Sequence, residues 1–288
     1  IGTAHSRWMI APGPWMPFSM VKLSPDNQNK GWQAGYQPTF ETLGCFSHIH
    51  EWTMGGLGMM PTNGKLFTKV GDQFRPDEGY RSCYDKQSEY ASAGYYSVQL
   101  TDYGIRAEAT ALPHSGMLRF TFPESNEAHI QVDLARRVGG TSVRQFIEVV
   151  ADNKIRGWMK CTPEGGGWGN GDGKADYTVY FCAEFSHPFK AHGIWSANIP
   201  DGCRRKRENI ESESYQDWIR QSDIIPSVIT YEGKHLGFYA DFDTRKDEQI
   251  LLKSGISFTS LKNAEENLYA EMKGWDFDET HETCAQLW

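Results

Sequence analysis

From about residue 92 to residue 258 this chain repeats one pattern: short runs of alternating apolar and polar residues, separated by Gly, Pro and Asn breaks. Ile105, Ala107, Ala109 and Ala111 alternate with Arg106, Glu108 and Thr110, and Ile130 and Val132 alternate with His129, Gln131 and Asp133. Tyr177, Val179, Phe181, Ala183 and Phe185 line one side of a longer run that reaches His187-Pro188. Successive side chains of a strand point to opposite faces, so this alternation builds a sheet with one face buried. Many such runs, antiparallel and with almost no helical pattern among them, imply an all-β sandwich or barrel. At 288 residues the chain can bury a sizeable core.

The period changes once. Ser260 is a candidate N-cap, after which Leu261, Ala264, Leu268 and Met272 share a helix face and Gly274 supplies a stop. Asp276 and Asp278 flank Phe277 where a last helical stretch begins, and a capping role is expected of them. The apolar stripe of Leu261, Leu268 and Met272 is expected to lie exposed, waiting for something to cover it.

Residues 1–90 are rich in Gly, Pro, Trp and Met and poor in clean periodicity. They hold two clusters: Gly31-Trp32-Gln33-Ala34-Gly35-Tyr36, and Phe46-Ser47-His48-Ile49-His50-Glu51-Trp52. Strand alternation puts His48 and His50 on one side. Trp32, Tyr36 and Trp52 offer flat apolar faces with polar tips, which suit a sugar ring. The candidate substrate-binding residues are therefore Trp32, Tyr36, His48, His50, Glu51 and Trp52. Aromatic side chains capping a sheet edge would give the same pattern.

Composition narrows the function classes. A net charge of -8 argues against nucleic acid as a partner. The basic run Arg204-Arg205-Lys206-Arg207 meets Glu208, Glu211 and Glu213 at once and reads as a solvated loop. No apolar stretch approaches the roughly 20 residues of a membrane span. Ile1 is not an initiator Met, so a processed or trimmed N-terminus is expected. Six scattered cysteines without a close C-x-x-C pair argue against a zinc site, and Cys182 reads as a buried thiol. Glu164 to Asp176, studded with glycines, lacks the register of a calcium loop and reads as a hairpin connection. Asp241 and Asp243 precede a turn. No metal site is expected in this chain.

One resemblance covers nearly the whole chain. Pro14-Trp15-Met16-Pro17-Phe18-Ser19-Met20, Leu23-Ser24-Pro25-Asp26, Gly31-Trp32, Ser47-His48-Ile49-His50 and Met59-Met60-Pro61 follow one another in order. Gly94-Tyr95-Tyr96, Arg119-Phe120-Thr121-Phe122-Pro123, Ser254-Gly255-Ile256-Ser257-Phe258 and Gly274-Trp275-Asp276 continue the series. Collinear and so spaced, they resemble the N-terminal domain of glycoside hydrolase family 92, the calcium-dependent α-mannosidases. The chain departs from the family's more usual Ser-His-Thr-His-Leu-Ser-Gly at Glu51-Trp52, which changes what faces a cleft. It departs again at His5-Ser6-Arg7-Trp8.

The resemblance implies a large antiparallel two-sheet β-sandwich over residues 1–259. Residues 260–288 would form a helical linker toward a catalytic (α/α)6 barrel that this chain does not contain. Glycoside cleavage normally needs two positioned carboxyl groups. In such a family of inverting enzymes they and the calcium belong mainly to the barrel, so no catalytic residue is expected here and the fragment alone should be inactive. The sandwich would build one wall of an interdomain cleft for mannose-containing glycans, in a periplasmic or secreted enzyme. The alternatives are a stand-alone carbohydrate-binding module without catalysis and a purely structural interdomain scaffold.

Overall fold

The computed structural model describes residues 11–27, 35–50, 55–137, 140–162, 176–203 and 212–288. Its described residues form two large antiparallel sheets, the all-β sandwich expected. The seven-stranded sheet runs, in spatial order, Ser24–Asp26, Cys45–His50, Gly55–Asn63, Ser125–Asp133, Gly237–Thr244, Ala191–Ser196 and Asp223–Pro226. The ten-stranded sheet runs Thr230–Gly233, Arg144–Ala151, Lys154–Cys161, Tyr177–Phe185, Glu248–Ser257, Ser115–Phe122, Ile105–Ala111, Tyr95–Leu100, Ser82–Ser92 and Thr42–Leu43.

The alternating runs supply the core between these sheets. Ile105, Ala107, Ala109, Ala111, Val179, Phe181, Ala183 and Phe185 are all buried in it, against Phe46, Met59, Ile130, Val132 and Phe238 of the opposing sheet. Phe46 meets Tyr96 and Phe120 at centroid separations of 6.3 and 6.2 Å, joining the two layers through ring contacts.

The other faces are less open than alternation predicts. Glu108 and Thr110 are buried, as are His129, Gln131 and Asp133. Segments that lie across the sheets cover them: Gln131 Nε2 donates to the Phe67 carbonyl at 2.7 Å, and Tyr80 Oη to Asp133 at 2.6 Å. Gly55–Asn63 explains why residues 1–90 show no clean period. Nearly every residue of this strand is buried, so it carries Gly and Met rather than an alternation.

Three helices accompany the sheets among the described residues: α1 (Glu213–Arg220), α2 (Leu261–Glu271) and α3 (Phe277–Ala285). The caps of α2 and α3 follow the sequence: Ser260 accepts from Asn263 N at 3.1 Å and Asp276 from Glu279 N at 2.9 Å. Helix α2 ends at Glu271 with Met272 as its C-cap, whose N–H donates to the Leu268 carbonyl, so the helix stops two residues ahead of Gly274. Helix α1 was not foreseen; Ser212 caps it, and Tyr215 and Ile219 pack on Ala197 and Ile199.

The expectation of an exposed stripe on α2 is corrected. Ala264, Leu268 and Met272 are buried, and the last two join Met117, Cys182, Phe277 and Cys284 in a second apolar cluster. The helix therefore folds back onto the ten-stranded sheet. Gly255 permits this closeness, since a Cβ there would stand 2.4 Å from the Ala264 carbonyl oxygen and 2.7 Å from Leu268 N. Glu271 fastens the end of α2, accepting from the backbone N–H of His114 at 3.0 Å and from the hydroxyl of Ser115. Cys182 is the buried thiol expected, pushed up to about 12 by burial.

Candidate functional site

Of the two clusters singled out in the sequence, the described parts are Gly35-Tyr36 and Phe46 to His50. The strand Ser24–Asp26 pairs antiparallel with Cys45–His50, with Asp26 opposite Cys45 and Ser24 opposite Ser47. Trp32, Glu51 and Trp52 lie outside the described residues, as do residues 1–10, the glycine-rich run 163–175 and the basic run at 204–207. The strands bordering the glycine-rich run do pair antiparallel, Cys161 opposite Tyr177, as a hairpin requires.

Tyr36, His48 and His50 are described, and all three are buried. Tyr36 donates its hydroxyl to Glu89 at 2.8 Å, and Tyr96 donates to the same carboxylate at 2.7 Å. Burial, with the Glu89 charge beside it, raises the Tyr36 pKa. His48 shares hydrogen bonds with the Leu57 carbonyl at 3.0 Å and with the Ser254 hydroxyl of the opposing sheet. Burial pushes its pKa down to about 4, so the ring is neutral near pH 7. His50 Nε2 stands 3.1 Å from the Ser24 carbonyl and 3.5 Å from Asp26 Oδ1.

These histidines adjoin a buried polar centre that hydrophobic patterning did not reveal. Asp26 is fully buried. Its carboxylate accepts from the hydroxyl of Ser47, from Cys45 Sγ at 3.3 Å and from Arg136 Nε at 3.3 Å. Arg81, also buried, donates through Nη1 to the Asn27 carbonyl at 2.9 Å and to Thr42 Oγ1 at 3.1 Å. Burial, aided by the nearby Arg136 charge, lowers Arg81 to about 10. The two guanidinium groups close on Gly44, where a Cβ would stand 3.2 Å from Arg81 Nη2 and 3.3 Å from Arg136 Nη2. A methyl there would also meet Val70 Cγ2 at 2.8 Å, so any larger residue has to displace these side chains.

Asn27 engages each of its polar groups. Its backbone N–H donates to the Gly35 carbonyl at 2.9 Å. Its side-chain oxygen accepts from Gln37 N at 2.7 Å, and its amide donates to the Gln37 carbonyl at 2.8 Å. Across the second cluster, His50 pairs with Gly55, whose N–H donates to Tyr177 Oη at 3.0 Å. Asp26, Asn27, Arg81 and Arg136 carried no periodic signal.

Among the described residues no three His, Cys, Asp or Glu side chains converge as a metal site would require. Among the described residues, then, none are grouped as a calcium ion would require. No described helix is long and apolar enough to cross a membrane.

Comparison with known proteins agrees with this architecture. A family GH92 alpha-mannosidase from Bacteroides thetaiotaomicron is 29% identical and superposes with a TM-score of 0.82, over 100% of this chain and 36% of that one. The same enzyme has been solved in complex with mannoimidazole. A family GH92 inverting mannosidase from the same species shares the fold at 18% identity and a TM-score of 0.73, over 96% of this chain and 32% of its own. An uncharacterized secreted glycosidase of Arthroderma benhamiae is 23% identical over 307 residues, which is 100% of this chain and 36% of that protein. The chain thus spans about a third of the length of these relatives. The glycosyl hydrolase family 92 N-terminal domain matches residues 1–257, and the chain belongs to that family.

Proposed function

We propose that this chain is the N-terminal sandwich of a glycosidase acting on α-mannosides of glycans, and that it forms one wall of an interdomain substrate cleft. The observation that carries this reading is its 29% identity over its whole length to an α-mannosidase that has been solved with mannoimidazole. On this reading Trp32, Glu51 and Trp52 face the sugar. Tyr36, His48 and His50 keep their polar atoms bonded inside the protein. Stacking of Trp32 on the ring would supply apolar contact, and Glu51 would accept from hydroxyl groups.

The acid and base belong to the remaining two thirds of the protein, as does the calcium that α-mannosidases of this kind use. Residues 260–288 lead toward that part, a catalytic (α/α)6 barrel, and the enzyme acts in the periplasm or outside the cell. The test compares the protein expressed from the entire open reading frame with residues 1–288 alone. The entire protein should hydrolyse an aryl α-mannoside in a calcium-dependent way and the fragment should not. Turnover by the pure fragment would sink this division of labour. A reading frame that stops soon after Trp288, together with mannoside binding by the fragment in calorimetry, would instead make it a binding module.

A further inference from the structure

We infer that helices α2 and α3 are locked to the ten-stranded sheet by an aromatic lid over a row of charges, so that sandwich and helices move as one body with no hinge between them. The inference goes beyond the cleft-wall reading and holds whether or not the protein acts on mannosides. It starts on the outer face of the ten-stranded sheet. There the register sets Lys154 opposite Glu184 and Glu184 opposite Lys253, while Arg119 stands opposite Glu108 on two further strands. Opposite charges on neighbouring strands attract. This row is covered rather than solvated: Lys253 is 3% exposed and Glu108 5%. An aliphatic helix face laid over it would desolvate the cations and give nothing back.

The helices meet the row with rings instead. Lys253 Nζ lies over Trp275, in the elbow between α2 and α3, at 4.4 Å from the ring centroid, and over Tyr269 of α2 at 5.7 Å. Lys154 Nζ lies over Tyr269 at 4.9 Å, and the Arg119 guanidinium over Phe277 of α3 at 4.2 Å. The face of an aromatic ring attracts a cation, and the attraction grows as water is excluded. Polar bonds follow the same lines. Tyr269 donates its hydroxyl to Glu184 at 2.9 Å, Lys154 donates to Glu265, and Arg119 Nη1 donates to Asp278 at 3.1 Å. At the main chain, Asn267 Nδ2 donates to the Ile256 carbonyl at 2.8 Å, and a Cβ on Gly94 would stand 2.8 Å from Cys284 Cβ. A hinge needs a segment whose contacts are cheaply given up. Here α2, the elbow and α3 are each held to the sheet, so motion of the sandwich relative to any further part of the enzyme has no pivot between Ser257 and Ala285.

Native-state hydrogen exchange of the whole protein in rising urea tests this. Amides of residues 264–272 and 280–284 should open together with those of Glu248–Ser257, on one urea dependence. Helices that open while that strand stays closed would overturn the inference. Two variants test the lid itself: Lys253→Met keeps the aliphatic stem and removes the charge, and Trp275→Leu removes the ring. Each should speed exchange in both helices by 10-fold or more, with the Ser125–Asp133 strand of the other sheet changing less than 2-fold. The double variant should fall short of the product of the two single effects, because both act on one contact. A rise below 10-fold in Lys253→Met, or a double variant that equals the product, would overturn the lid. Should either variant fail to fold, Phe277→Leu removes the ring over Arg119 and keeps an apolar side chain there. It should give the same 10-fold rise, and a smaller one would overturn the lid.

Discussion

Replacing Asp26 by Ala should be among the most damaging single changes this domain can suffer. The carboxylate has no solvent exposure, accepts from Ser47, Cys45 and Arg136, and stands 3.5 Å from His50. Removing it leaves the Arg136 guanidinium, whose side chain is 6% exposed, without its closest counter-charge. Breaking a buried ion pair from one side costs about 3–5 kcal/mol, because the charge left behind is uncompensated. For a chain of this size each kcal/mol shifts Tm by roughly 2–4 °C, so the midpoint should fall by about 6–20 °C. Urea unfolding of residues 1–288, followed by tryptophan fluorescence, measures the free energy directly. Two companions separate charge from packing. Asp26→Ala with Arg136→Met should be more stable than Asp26→Ala alone, since no charge is then stranded. Glu232→Ala, at the exposed Arg144 pair, should cost less than about 1 kcal/mol. A loss under about 1 kcal/mol for Asp26→Ala, or a double variant whose losses simply add, would refute the reasoning.

Two histidines should give the stability profile opposite slopes. Burial disfavours a charged His129, but hydrogen bonds to Asp241 and the Gly64 carbonyl, with the charges of Asp241 and Glu127, raise its pKa above the ordinary value. Its contribution is thus complete below about pH 6.5 and is lost as pH rises through the folded pKa, and His129→Gln should flatten that limb in urea titrations. His48, held down to about 4, behaves in reverse: stability declines as pH falls from about 6.5 toward 4, and His48→Asn should remove that decline. Gly255→Ala should push α2 off the sheet, because the new methyl meets helix backbone rather than a movable side chain. The expected loss is about 1–3 kcal/mol, with faster proteolysis between residues 260 and 288; native stability and protease resistance would contradict the packing described.

Much of the architecture was legible in the residues because its causes are local. Period two in Ile105–Ala111 and Tyr177–Phe185 reflects one face meeting the other sheet, and Ser260 and Asp276 cap helices through their own side chains. What failed were inferences about what covers a face. Nothing local to Leu268 and Met272 tells whether solvent or a sheet receives them, and Gly255, which admits the helix, lies on a strand before it.

The same division runs through the candidate site. By itself the sequence determined the family, the strand content and the gathering of aromatic and histidine residues before position 53, since each depends on order and composition alone. Tertiary structure alone decided that Tyr36, His48 and His50 are interior groups with bonded polar atoms, and that Asp26, Asn27, Arg81 and Arg136 form a buried polar network. Their partners come from residues as far apart as 26 and 136, or 48 and 254. Burial and pairing are properties of such distant neighbours, and no window of sequence contains them.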